Sequence, residues 1–177
     1  MRLFLLAVLL LFGALPARAE PRGFRLQPGS GAIGFRAYGL GLLPIDGGFT
    51  RFSGTLTLDP AAPSACRLEL HAEAASLAMS DPAITEDALG PDLLDVVHFP
   101  EFGFHGECKD GAITGPLLLH GVSRPVTLSV EVRDGRWTAT GTMRRAEWGM
   151  GARPLLAGPE VRLQVTVALP PGFPPRS

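Results

Sequence analysis

The segment that most constrains this chain is GPLLLHGVSRPVTLSV, Gly115 to Val130, two alternating stretches joined at a Gly-centred turn. After Pro125 the alternation is strict: Val126, Leu128, Val130 and Val132 fall on one side, Thr127, Ser129, Glu131 and Arg133 on the other. A period of two with one apolar series marks a sheet with one dry face, which needs apolar material against it. Gly and Pro, 22 and 17 of the 177 residues, punctuate the rest of the chain at short intervals. Short alternating segments between such breaks belong to all-β sandwiches and barrels. The pattern predicts strands near residues 23–27, 32–38, 48–58, 65–77, 101–109, 112–120, 126–133, 136–145 and 160–169. These suffice for a closed antiparallel barrel of about eight strands. Between Phe49 and the even series Phe52, Leu56 and Leu58 the apolar parity slips, which predicts a strand-bending bulge near Thr50 and Arg51.

Residues 1–19 combine an early Arg2, an apolar run from Leu3 to Leu15 and the small-x-small end Ala17-Arg18-Ala19. That is the layout of a signal peptide cleaved before Glu20, so export is expected. Residues 20–169 then form one barrel domain and 170–177 a Pro-rich tail, expected to be extended, unpacked and dispensable for binding. The apolar run is too short for a stable membrane span, and stable membrane insertion is not expected. Losing Arg2 and Arg18 takes the formal net charge from −1 to about −3, which leaves no basic face for nucleic acid.

Between the fourth and fifth strands, Ile84, Leu89, Leu93, Val96 and Val97 recur at nearly helical spacing. A short helical lid is expected, capped by Ser80 or Asp81, started by Pro82 and broken at Gly90-Pro91, with a second turn near Asp92. If the strands around this insertion pair antiparallel with Ser76 opposite His98, Cys66 faces Cys108. The two are the chain's only cysteines, and in an oxidising compartment they are expected to form a cross-strand disulfide.

Chemistry-bearing constellations are sparse. The four histidines, His71, His98, His105 and His120, form no ligand pair at metal-binding spacing, and no metal or cofactor is expected. His71 and His105 read as an outer-face polar cluster, and His120 as holding its turn through a hydrogen bond. No Gly-x-Ser-x-Gly elbow occurs, so no catalytic residue is assigned.

Inward-facing positions form an almost wholly apolar face. On the early strands they are Ile33, Phe35, Phe49, Phe52, Leu56, Leu68 and Leu70. Further on they are Phe102, Phe104, Leu117, Leu119, Val126, Leu128, Val130, Trp137, Met143, Leu163 and Val165, joined by Trp148 and by Leu89 and Leu93 of the lid. By themselves these residues are equally consistent with a filled lumen and with a cavity.

Six pieces in order resemble the YceI-like family of periplasmic proteins. They are Ser30, Ile33 and Phe35; Phe49, Phe52, Gly54 and Leu56; Ala75, Ser76 and Leu77; Leu93 to Val96 with Phe99 to Phe104; Gly115 to Val130; and Arg145, Glu147, Trp148, Gly149, Met150 and Gly151. The resemblance spans about residues 23–169. It implies a lipocalin-like antiparallel barrel in the periplasm that binds a polyisoprenoid or other long-chain lipid, with no catalysis and no cofactor. Where relatives often carry a His after the first Phe, this chain has Tyr38 followed by the Gly39 to Leu43 run, and Trp148 stands where Phe is more usual. Ligand headgroup and homodimer formation are left open. A second reading is an envelope stress or interaction protein with a filled barrel; a third is a lipid-directed hydrolase or isomerase using Tyr38, His98 or His120.

Overall fold

The computed structural model describes residues 20–40, 42–60, 62–152, 157–171 and 173; the expected signal peptide lies outside them. The strands are β1 (Arg22–Leu26), β2 (Gly31–Gly39), β3 (Leu43–Phe49), β4 (Phe52–Asp59), β5 (Ala62–Glu73), β6 (Leu77–Met79), β7 (Glu101–Lys109), β8 (Ala112–Leu119), β9 (Val122–Arg133), β10 (Arg136–Arg144) and β11 (Glu160–Ala168). One helix, α1 (Pro82–Leu89), follows β6. All strands pair antiparallel in one curled sheet of order β1-β4-β5-β7-β8-β9-β10-β11-β2-β3-β6.

The expected count of eight strands is corrected to eleven among the described residues. Residues 48–58 and 65–77 each divide at a corner, the first at Thr50-Arg51 and the second at the 3-10 turn Ala74–Ser76. The two corners are bonded together: Thr50 N donates to Ser76 O at 3.0 Å, Glu73 N to Arg51 O at 3.0 Å, and the Ser76 hydroxyl to Glu73 O at 2.7 Å. A bulge alone would have bent the strands; this double corner swings β3 and β6 off the line of β4 and β5. β3 also begins earlier than expected, because Pro44 and two glycines obscure its alternation. Across from it on β2, Arg36 grips Asp46 with two bonds of 2.6 and 2.8 Å, which hold the Asp46 carboxyl below its usual range.

β5 and β7 run in the expected register, with Arg67 opposite Glu107 and Leu70 opposite Phe104. The next pair along is Cys66 and Cys108, disulfide-bonded with Cα atoms 4.7 Å apart. Alternation puts Leu56, Leu68, Phe104, Val126, Leu128 and Val165 on the inner face, all buried.

The tail is described at residues 170, 171 and 173, and at Phe173 it is packed, contrary to expectation. Phe173 is only 8% exposed, and its ring meets Phe24 of β1 edge-on at 5.0 Å. Phe173→Ala is therefore expected to lower unfolding stability by about 2 kcal/mol in a denaturant titration. That is less than a fully enclosed ring costs, because its partner Phe24 is itself only half-buried.

A blind apolar cavity and its mouth

The inside of the curl divides into two zones along the strands. At the end holding the turns β7–β8 and β9–β10, the interior is solid. Leu26, Leu56, Leu58, Leu68, Ile113, Trp137 and Val167 are all essentially inaccessible there, beside the disulfide. Toward the other end lies a cavity of about 690 Å³. That falls in the range of pockets that enclose most of a small organic ligand, roughly 300–1,000 Å³.

The cavity wall is drawn from nearly every strand of the curl. Ile33, Phe35, Phe49, Leu70, Phe102 and Phe104 line one side; Leu117, Leu119, Val126, Leu128 and Met143 line the other, and Leu93 contributes from the segment after α1. Eleven of these twelve are residues that the alternation assigned to the interior, as it did Leu163 and Val165, which also line the wall, and Leu93 was expected from the lid. Seven other expected residues are not in the wall, among them Val130, which packs half-buried against the core. Leu56, Leu68 and Trp137 have the right facing but sit in the solid end, where the interior is already filled. Trp148 is buried behind the wall with its indole N–H donated to Leu117 O at 3.1 Å. Phe52, just past the first corner, packs half-buried against the core, and Leu89 is turned away at the end of α1.

The mouth is marked by wall residues that also face solvent: Leu40 and Leu43 at the β2–β3 tip, and Ile84 on α1. Leu42, 84% exposed, completes an apolar lip. Pro44, Ile45, Leu77, Met79, Met150 and Val161 are further wall residues that the alternation left out. The Gly39 to Leu43 run was the available signal for the lip, since five apolar or small residues crowd a hairpin tip where polar ones are usual.

Helix α1 takes the expected form. The Asp81 carboxylate accepts from Ala83 N at 2.8 Å and Ile84 N at 3.4 Å, Pro82 occupies the first turn, and Gly90 ends it. None of its residues is buried, so it rests on the rim rather than being packed into it. Asp81→Ala removes about 1 kcal/mol of capping, so amide hydrogen exchange in α1 is expected to accelerate about fivefold while the sheet amides are unchanged.

Ser80, Asp81, Asp87, Arg145 and Gln164 are the polar residues of the described wall, Gln164 by its backbone and not its side chain. Gln164 is directed along the outer face of β11, its Nε2 3.4 Å from Thr166 Oγ1. The histidines stand apart. His98 binds Asp95 at 2.8 Å in solvent, and His71 and His105 are exposed on the outer face. His120 holds its turn by ring packing on Phe99, centroids 4.3 Å apart; no side-chain hydrogen bond to it is found among the described residues, contrary to expectation. Neither Tyr38, His98 nor His120 enters the cavity wall. Among the described residues no three His, Cys, Asp or Glu converge on a common point, and no helix is long and apolar enough to cross a membrane.

An antiparallel sheet curled around an apolar pocket, with one short helix at its rim, is the class of structure this chain defines. The profile of the YceI-like domain matches residues 24–169, and the chain belongs to that family. A UPF0312 protein of Pseudomonas savastanoi pv. phaseolicola is 32% identical over 103 residues, 54% of this chain and 53% of that protein. Protein YceI of Escherichia coli O17:K52:H18 is 30% identical over 105 residues, 56% and 55% of the respective chains. The chain thus spans about half the length of the curated relatives it matches. Among solved structures, Burkholderia cenocepacia BcnA superposes with a TM-score of 0.68 at 18% identity, covering 79% of this chain and 96% of that one. A polyisoprenoid-binding domain from Saccharophagus degradans, implicated in plant cell wall breakdown, superposes at 0.60 with 12% identity, covering 84% and 98%. Both likenesses are of fold.

Proposed function

We propose that this protein binds a long apolar molecule, a polyisoprenoid or another long-chain lipid, in its blind cavity, and carries or stores it in the periplasm after export. The observation that carries this reading is the cavity itself: about 690 Å³, walled by aliphatic and aromatic groups, solid at one end and lipped with leucine at the other. A cavity of this size and lining can accept a hydrocarbon chain, whose atoms would meet the wall at dispersion distance. Burying about 12 chain carbons contributes on the order of 10 kcal/mol before the cost of ordering the chain. The signal-like residues 1–19 and the disulfide support export to an oxidising compartment. The description of the Saccharophagus neighbour supports a lipid-like ligand. In this reading the protein needs neither catalytic residue nor cofactor.

Native mass spectrometry of protein purified from its own envelope fraction tests the proposal. Co-purified lipid at one per chain is the expected result. A ligand-free mass, together with no uptake of added polyprenol or fatty chain, contradicts it and favours a protein that works through its outer surface.

A further inference from the structure

Arg145 is the one cation in the described cavity wall, and it is 6% exposed. It stands in the 3-10 turn after β10, where its three guanidinium nitrogens each donate to a backbone carbonyl. Nε reaches Gly158 O at 2.9 Å, Nη2 reaches Ala157 O at 2.7 Å, and Nη1 bonds Met150 O. These three bonds fix the fork but supply no negative charge. No ion pair among the described residues involves Arg145, and burial alone pulls its pKa down, with no carboxylate raising it back. A buried guanidinium is ordinarily matched by an anion, because desolvating an isolated charge costs several kcal/mol. Five N–H groups less three leave two donors for something else.

The position of Arg145 along the cavity gives that something an orientation. Ala157 bridges Gly39, and Gly158 N donates to Tyr38 O at 2.8 Å, so the arginine and its carbonyls lie at the lipped end, below the β2–β3 tip. The opposite end is capped by Trp137 and aliphatic side chains.

From this geometry we infer that the cavity selects a long-chain ligand with an oxyanion head, a carboxylate or a phosphate, seated against Arg145 with its tail toward Trp137. This rests on the lipid-binding reading and specifies the polar end of its ligand. A hydrogen bond to a charged group is roughly twice as strong as a neutral one, so an acid should outbind its neutral counterpart of equal chain length by about tenfold.

The test is calorimetric titration of the delipidated full chain with hexadecanoate, hexadecyl phosphate, hexadecanol and methyl hexadecanoate, below their micelle concentrations. Tighter binding of one or both anions is expected, and which of them gains separates a fatty acid from a phosphorylated lipid. Arg145→Met should bring the anion-to-ester ratio near one, while Arg145→Lys should keep most of it. Equal binding of all four ligands overturns the oxyanion head and leaves the cavity reading standing; binding of none overturns both. Should Arg145→Met fail to fold, the ligand series on the unmodified chain decides alone.

Discussion

Leu163→Trp is expected to weaken uptake of a long-chain ligand about thirtyfold while leaving the fold intact. Leu163 lines the cavity from β11 and pairs across the sheet with Phe35, another wall residue. An indole there projects into empty space, so it displaces ligand rather than protein. Denying burial to two or three CH₂ groups at about 0.8 kcal/mol each removes about 2 kcal/mol of affinity. In a densely packed core such a small-to-large change costs about 1–3 kcal/mol of stability, whereas a real void absorbs most of it. The pair of readouts is therefore diagnostic: affinity by titration should fall and the melting temperature should hold. The reverse pattern, unchanged affinity with a large loss of stability, would mean that the wall is packed solid at β11.

Reducing the Cys66–Cys108 bond is expected to cost stability without costing affinity. The bond links residues 42 apart, and restricting a loop of that length in the unfolded chain stabilises the fold by about 4 kcal/mol. For a domain of this size, that corresponds to a drop in melting temperature of about 8–16 °C on adding reductant, or in the Cys66→Ala/Cys108→Ala variant. The disulfide sits in the solid end, beside Leu58 and Leu68, while the apolar lip, the proposed entrance, lies at the other. Ligand affinity of the reduced protein, measured well below its melting point, should stay within about twofold of the oxidised form. A large affinity loss would show that the two ends of the curl are mechanically coupled.

Leu163 and the Cys66–Cys108 pair also show what the sequence can reveal here. Facing is legible: alternation marked Leu70, Phe104 and Leu128 as inward and gave Cys66 and Cys108 a common parity, and the antiparallel register assumed around the insertion, with Ser76 opposite His98, is the one that β5 and β7 adopt. Depth is not legible, because Leu68 and Leu70 share the same parity yet one stoppers the curl and the other walls the cavity. Whether an inward side chain meets a neighbour depends on how the sheet tapers, which no local pattern encodes. Of the two corners, Thr50-Arg51 was visible only as a slip in parity and Ala74–Ser76 not at all, since their bonding partners lie more than 20 residues apart. Arg145 was hidden for a different reason. A charged residue at a strand end ordinarily faces water, and only the carbonyls of Met150, Ala157 and Gly158 reveal that it turns inward. Phe173 shows the same in the tail, where a Pro-rich context concealed an apolar anchor for Phe24.

The most direct measurement is a crystal structure of the protein loaded with a fatty chain brominated at its far end, with the bromine located by anomalous scattering. The account predicts a single peak deep in the curl, bounded by Phe104, Leu128 and Val165. A peak only among Leu40, Leu42 and Ile84 at the lip, or on the outer face of the sheet, would contradict it.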